Sequence, residues 1–248
     1  MDIPRIFTIS ESKHRIHNPF TPEKYATLGR VLRMTPGARI LDLGSGSGEM
    51  LCTWARDHAI TGIGIDMSPL FTEQAIRRAE ELGVSEHVHF EHNDAAGYVA
   101  ADKCDIAACI GATWIGGGVA GTLELLEQSL KPGGMLLIGE PYWRQVPATQ
   151  DIAKACGATS LADFLTLPEL VSSFATLGYD VVEMVLADQE GWDRYEAAKW
   201  LTLRRWLTAN PDDDFAPEVR AELTIAPERH VSFTREYFGW GVFALMRR

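Results

Sequence analysis

A chain of 248 residues, 46% hydrophobic and 23% charged, has the composition of a folded globular protein and is too apolar to remain disordered. Its 23 Lys and Arg against 34 Asp and Glu leave a net charge of −11, which repels phosphate backbones and argues against a nucleic-acid partner. That charge does not exclude a cationic ligand.

In chain order, an N-terminal helical segment spans residues 1–35, with Thr21 as cap, Pro22 at the first helical position and Tyr25, Leu28 and Leu32 as its apolar residues. Apolar runs at Ala38–Leu43 and Ile60–Ile65 read as strands, separated by a glycine loop and a helix. Ser68-Pro69 opens the next helix and Leu82-Gly83 closes it. His87–Glu91 alternates, with Val88 and Phe90 on one face, and Cys104–Ile110 is continuously apolar. Leu123, Leu126 and Leu130 recur at helical spacing before the turn Lys131-Pro132-Gly133-Gly134, and Met135–Ile138 is the fifth strand.

Thr166 and Glu169 form a capping box for a helix carrying Leu167, Leu170, Val171, Phe174 and Leu177, ended by Gly178. Asp180–Ala187 and Gly239–Met246 read as the last two strands. Between them lies a helical insertion, Asp193–Asn210 and Ala216–Ile225, interrupted by Pro211 and the acidic loop Asp212–Asp214. The fold expected is a single α/β domain over 1–248: a core at 36–186 and 231–248, with the insertion at 187–230 as a helical lid. No apolar run reaches the roughly 18–20 residues of a membrane span. Met1–Ser10 lacks a signal-peptide pattern, and Cys52, Cys104, Cys109 and Cys156 lack CxxC spacing. These features point to a reduced cytoplasmic protein with no disulfide, no metal site and no membrane partner; they leave its oligomeric state open.

The most informative segment is ILDLGSGSGEM, residues 40–50. A strand reaches Asp42, after which Gly44, Gly46 and Gly48 alternate with Leu43, Ser45 and Ser47 on the way into a helix. Such glycines allow a sharp turn and let backbone N–H groups approach a ligand. A dinucleotide fingerprint needs its third glycine at position 49, where Glu49 stands. Asp42, two residues before the first glycine, is an odd neighbour for a pyrophosphate and suits an ammonium or sulfonium group.

This loop resembles the first motif of the class I S-adenosylmethionine-dependent methyltransferases, and the likeness continues along the chain. In that family the fold is a Rossmann-like, seven-stranded, mostly parallel sheet whose last strand is antiparallel. The resemblance implies that Asp66, in GIGID, takes the ribose hydroxyls of S-adenosylmethionine and that Met67 lies against adenine. It further implies that Asn93, Asp94 and Ala95 meet the adenine edge, and that Ile110 and Gly111 line the methionine and methyl-transfer region. LKPGGMLLIGEP, 130–141, corresponds to the turn and fifth strand. A Cβ at Gly46 is expected to project into the ligand or force a strained backbone, while touching little else in the fold.

A base is sought near the strand ends and lid segments. The candidates are Glu140 and Tyr142 after the fifth strand, His14 and His17 before the first expected helix, and His230 before the last strand. Trp114 and Trp143, after strands four and five, are candidate acceptor-pocket residues. Trp192, Trp200 and Trp206 lie in the insertion, where the stripe Ala197, Trp200, Leu203 and Leu207 fits either packing on the sheet or an apolar cap over the cofactor. Ile110-Gly111-Ala112-Thr113-Trp114 lacks the Asn/Asp-Pro-Pro-Tyr/Phe motif of adenine-N6 and glutamine methyltransferases, and no cysteine follows a proline. The function expected is methyl transfer to a small, partly apolar molecule. The alternatives are an RNA or protein methyltransferase, or a non-catalytic S-adenosylmethionine-binding module.

Overall fold

The apolar runs pair as seven strands: β1 Arg39–Leu43, β2 Thr61–Asp66, β3 Val88–His92, β4 Cys104–Ile110, β5 Leu130–Trp143, β6 Tyr179–Leu186 and β7 Phe238–Arg247. The computed structural model describes residues 3–248; Met1 and Asp2 of the expected N-terminal segment lie outside the described residues. The sheet order is β3-β2-β1-β4-β5-β7-β6. Pairs β1–β2, β1–β4, β2–β3 and β4–β5 are parallel, and β7 runs antiparallel to both β5 and β6. The expected mostly parallel sheet with an antiparallel last strand is therefore the architecture of the chain. After β1 the chain winds to β2 and β3 on one side, then returns to place β4 on the other. That reversal opens a crevice at the carboxyl ends of β1 and β4.

Helices α2 Pro22–Val31, α3 Glu49–His58, α4 Pro69–Glu81, α5 Val119–Glu127 and α7 Leu167–Thr176 flank the sheet. Thr21, Ser68 and Thr166 cap α2, α4 and α7, and Thr166 completes its capping box with Glu169. Side chains that alternate along the strands feed two cores. Ile40, Ile106, Leu137 and Val242 bury with Leu28, Leu51 and Trp54 on one face. Leu41, Leu136, Ile138 and Phe243 bury with Leu123, Leu126 and Phe174 on the other. Each such side chain contributes about 1.5–3 kcal/mol of burial.

Two expectations change. Leu130 does not extend the Leu123–Leu126 stripe: α5 ends at Glu127, and Leu130 instead begins β5 by pairing with Cys104. Met135 pairs next with Ile106, so Lys131–Gly134 forms a bulge inside the strand, and Lys131 Nζ reaches Asp105 at 2.9 Å across it. Beyond Gly139 the strand leaves β4 and continues against β7, with Trp143 also bridging to Thr166, and this one-sided stretch tolerates Pro141 opposite Trp240.

The second change concerns the insertion. Within the expected N-terminal helical segment a first helix precedes the one at Thr21: α1 Arg5–Glu11 packs against α8 Gln189–Ala209, which in turn packs against α9 Ala216–Arg229. Leu203 and Leu207 bury with Ile9 and Val219 in a satellite core, not against the sheet. A π turn at His230–Thr234 and the short α10 Arg235–Tyr237 lead into β7, and α6 Gln150–Ala155 lies between β5 and α7. The four cysteines are buried free thiols. No described helix is long and apolar enough to cross a membrane.

Candidate active site

At the carboxyl ends of β1, β2 and β4 lies a cavity of about 300 Å³. Gly44 and Gly46 enter from the loop after β1, Asp66 and Met67 from the end of β2, Asp94 and Ala95 from the loop after β3, and Ile110 and Gly111 from the end of β4. These four segments are far apart in the chain and meet because the parallel strands end together. Gly44, Gly46 and Gly111 all have positive φ, a conformation that disfavours any side chain. Phe71, Trp114 and Ile115 supply apolar wall, and the N-terminal segment closes the cavity with Ile3, Pro4, Phe7 and His17.

Asp66 ties this construction together. Its Oδ2 accepts the Gly46 N–H at 2.8 Å, and its Oδ1 accepts the Ser68 N–H at 2.8 Å. Burial raises its pKa, and those two donors oppose the rise. Asp42 lies behind the loop in a small polar cavity shared with His17, Ser45, Ser47 and Glu49. Its Oδ1 is buried without a hydrogen-bond partner, and burial plus the neighbouring Asp66 charge push its pKa up to about 7. A buried carboxyl beside a second carboxylate is relieved by a proton or by a nearby positive charge. Glu49 is paired in two hydrogen bonds, 2.7 and 2.8 Å, with Arg78 of α4, which accounts for an acid where a dinucleotide loop has glycine.

The remaining loop and turn positions divide. Gly48 has φ +71°, and a Cβ there would meet Phe90 and Ala75, so its role is to pack α3 against its neighbours. Ser45 lines the small polar cavity only. Asn93 is exposed outside the cavity; its Oδ1 accepts the Asp94 N–H, and Asp94 in turn accepts from Ala96 in a local turn. Gly46 has φ +53°, in keeping with the strained backbone expected of a side chain there, but the expectation that such a side chain touches little else is corrected: a Cβ would lie 3.3 Å from the His17 ring.

A family model described as a methyltransferase domain matches residues 34–197. The chain belongs to the methyltransferase domain family. It is 81% identical to the uncharacterised protein YjhP of Escherichia coli K12, over all of both chains. It also resembles, with a TM-score of 0.98 and 73% identity, the crystal structure of an S-adenosylmethionine-dependent methyltransferase from Geobacter sulfurreducens in complex with S-adenosylhomocysteine, covering 100% of this chain and 99% of that one. A second such complex, from Thiobacillus denitrificans, has a TM-score of 0.98 and 70% identity over 100% of both chains.

In this methyltransferase the candidate bases are scattered. His17 lines the cavity, packs edge-on against Phe71 and shares a 2.9 Å hydrogen bond with Ser47; burial lowers its pKa to about 4, so the ring is neutral. His14 follows α1 and lies outside the cavity, 3.5 Å from Glu11 and 3.3 Å from the Tyr195 carbonyl. His230 is buried at the π turn, 2.8 Å from Asp193 and 3.0 Å from Thr234, away from the cavity. Tyr142 is buried in the sheet core, and Trp143 is buried and stacked on Phe238, so neither faces the cavity. Glu140 accepts a hydrogen bond from Thr113, and burial pushes its pKa up to about 7. It lines a second chamber, of about 570 Å³, that shares Gly111 and Trp114 with the first.

Sequence reasoning missed Phe7, Phe71, Ala112 and Ile115 on the cavity wall. Phe71 follows the Ser68 cap by one turn and Ala112 follows Gly111, so proximity to recognised positions was a usable signal for both. Nothing in the sequence marks Phe7. No described trio of His, Cys, Asp and Glu is placed to hold a metal ion.

Proposed function

We propose that this chain transfers a methyl group from S-adenosylmethionine, held in the cavity at the ends of β1, β2 and β4, to a small, partly apolar acceptor. The observation that carries the reading is the meeting of Gly46, Asp66, Asp94 and Gly111 around one cavity, with Asp42 unpaired behind it. The residues present fit the cofactor's chemistry. In this reading Asp66 would take the ribose hydroxyls, Met67 and Ala95 would lie on an adenine face, and Asp94 would take its exocyclic amine. The glycine loop leaves room for the methionine portion, and Asp42 supplies the negative charge that an ammonium or sulfonium group needs. When bound, S-adenosylmethionine supplies an activated methyl and a good leaving group.

The chain's own residues orient and seal. Ile3, Pro4 and Phe7 shield the cavity from water, and neutral His17 ties that segment to the glycine loop through Ser47. The apolar wall and the net charge of −11 favour a small molecule over RNA. Calorimetry with S-adenosylhomocysteine, followed by mass spectrometry of a metabolite extract incubated with isotopically methyl-labelled cofactor, tests the reading. Tight cofactor binding and a labelled small-molecule product are expected. Binding without any product would leave a non-catalytic module, and label in RNA or protein would overturn the acceptor class.

A further inference from the structure

The chamber beside the cofactor cavity has a chemistry of its own. It is formed by the turn after β4, the end of β5 and the loop before α7, and its lining includes Thr113, Trp114, Glu140, Asp163, Phe164 and Leu170. Gly111 and Trp114 belong to both spaces, so molecules held in the two would meet there. Two carboxyl groups line the chamber, and no Lys, Arg or His does. Asp163 is already committed: its carboxylate accepts from Thr159 and Ser160 in a local capping box. Glu140 is not. Among the described residues the Thr113 hydroxyl is its one hydrogen-bond donor, and no cation pairs with it.

The rest of the lining is apolar or aromatic. An acceptor bearing a carboxylate or phosphate would meet two acids and no compensating base. A neutral acceptor would offer an ionised Glu140 no opposite charge and at most a hydrogen bond. An ammonium would pair with Glu140 and lie beside the aromatic rings of Trp114 and Phe164, whose faces attract cations. Resting on the methyl-transfer reading above, we infer that the chamber takes the acceptor as a small organic amine in its ammonium form, with Glu140 as the group that receives its nitrogen.

Burial brings Glu140 to a pKa of about 7, within reach of accepting a proton near neutrality. The step balances as follows. The ammonium gives one proton to the Glu140 carboxylate, and the freed nitrogen lone pair forms the bond to the methyl carbon. The carbon–sulfur bond breaks with its electron pair remaining on sulfur. The product is the methylated ammonium, and Glu140 returns its proton to solvent.

The test uses three probes of matched size, 2-phenylethylamine, 2-phenylethanol and 3-phenylpropionate, titrated calorimetrically at pH 7.5 into protein saturated with S-adenosylhomocysteine. The amine is expected to bind about tenfold or more tightly than the alcohol, and the acid not at all. In Glu140→Gln the amine preference should largely vanish, while S-adenosylhomocysteine affinity stays within about twofold, because Glu140 does not line the cofactor cavity. Trp114→Leu, at a half-exposed position, should weaken the amine more than the alcohol and gives a second route if the Gln variant fails to fold. Equal binding of alcohol or acid, no binding of any probe, or an amine preference that survives in Glu140→Gln overturns the inference. Failure of the unaltered protein to bind S-adenosylhomocysteine would instead strike the methyl-transfer reading itself.

Discussion

Asp66 holds two backbone N–H groups as well as facing the cavity, so its two substitutions should separate. Asp66→Asn keeps an oxygen for one of those donors and loses the charge; it is expected to weaken S-adenosylhomocysteine binding about tenfold or more, measured by calorimetry, with a small change in melting temperature. Asp66→Ala leaves the Gly46 and Ser68 N–H groups without this partner and should lower stability as well, by about 1–3 kcal/mol. Unchanged affinity in a folded Asp66→Asn would remove the ribose assignment. Gly46 behaves differently from a residue that only faces a ligand. Its φ of +53° and the His17 ring 3.3 Å from a built Cβ mean that Gly46→Val strains the loop in the protein alone. The expected result is a loss of about 1–3 kcal/mol together with loss of cofactor binding. Adding His17→Ala to Gly46→Ala should recover the part of the melting temperature due to the clash and leave the part due to φ. Full recovery would show that φ costs nothing there.

At the scale of elements, the N-terminal segment supplies part of the wall of the proposed cofactor cavity, and the insertion packs against that segment through α1. Glu11 at the end of α1 is buried, and Tyr195 of α8 donates to its Oε1 at 2.6 Å. The satellite core of Ile9, Leu203, Leu207 and Val219 completes the join. Tyr195→Phe removes the donor and leaves a buried carboxyl with a lost partner, at a cost of about 1–3 kcal/mol. In a domain of this size that is a fall of roughly 2–4 °C in melting temperature per kcal/mol. Phe7 lies on α1, and Ile3 and Pro4 lead into it, so S-adenosylhomocysteine affinity is expected to fall too. A variant that melts lower yet binds the cofactor normally would show that the join supports the fold and not the site.

For the whole molecule, three buried carboxyls set a pH dependence. Glu11, Asp42 and Glu140 each have a folded pKa of about 7, raised chiefly by burial. Unfolded, they release their protons near pH 4, so between about pH 4 and 7 the folded state binds more protons and stability falls as pH rises. For Glu11 alone the full effect is of the order of 3–4 kcal/mol, roughly 1.4 kcal/mol for each unit by which its pKa is raised. His17, lowered to about 4, and His14, also lowered by burial, act in the opposite sense: their contribution is present above the unfolded value and lost as pH falls. Three carboxyls outweigh two histidines. The melting temperature of the ligand-free protein is therefore expected to decline from pH 5.5 to 7.5, and Glu11→Gln should flatten that decline. A melting temperature that rises across the interval would mean that these acids are ionised in the folded protein.

The strand sequence, the caps at Thr21, Ser68 and Thr166, and the positions around the glycine loop were legible because they are local. A capping hydroxyl, a glycine with positive φ or an apolar run carries its meaning within a few residues, and parallel strands bring their ends together whatever loops join them. Asp66, Asp94 and Gly111 follow from that rule. What no local signal carried was partnership across long separations. Ile9 acquires its role only when α1 meets α8 nearly two hundred residues later, Phe7 only when it reaches the Phe71 ring, and Trp143 leaves the acceptor side because Phe238 stacks on it. Glu140 and His230 look alike in sequence as polar residues flanking strands. Tertiary structure gives His230 the Asp193 carboxylate and leaves Glu140 in a chamber without a cation, because burial and pairing depend on which surfaces the whole chain brings together.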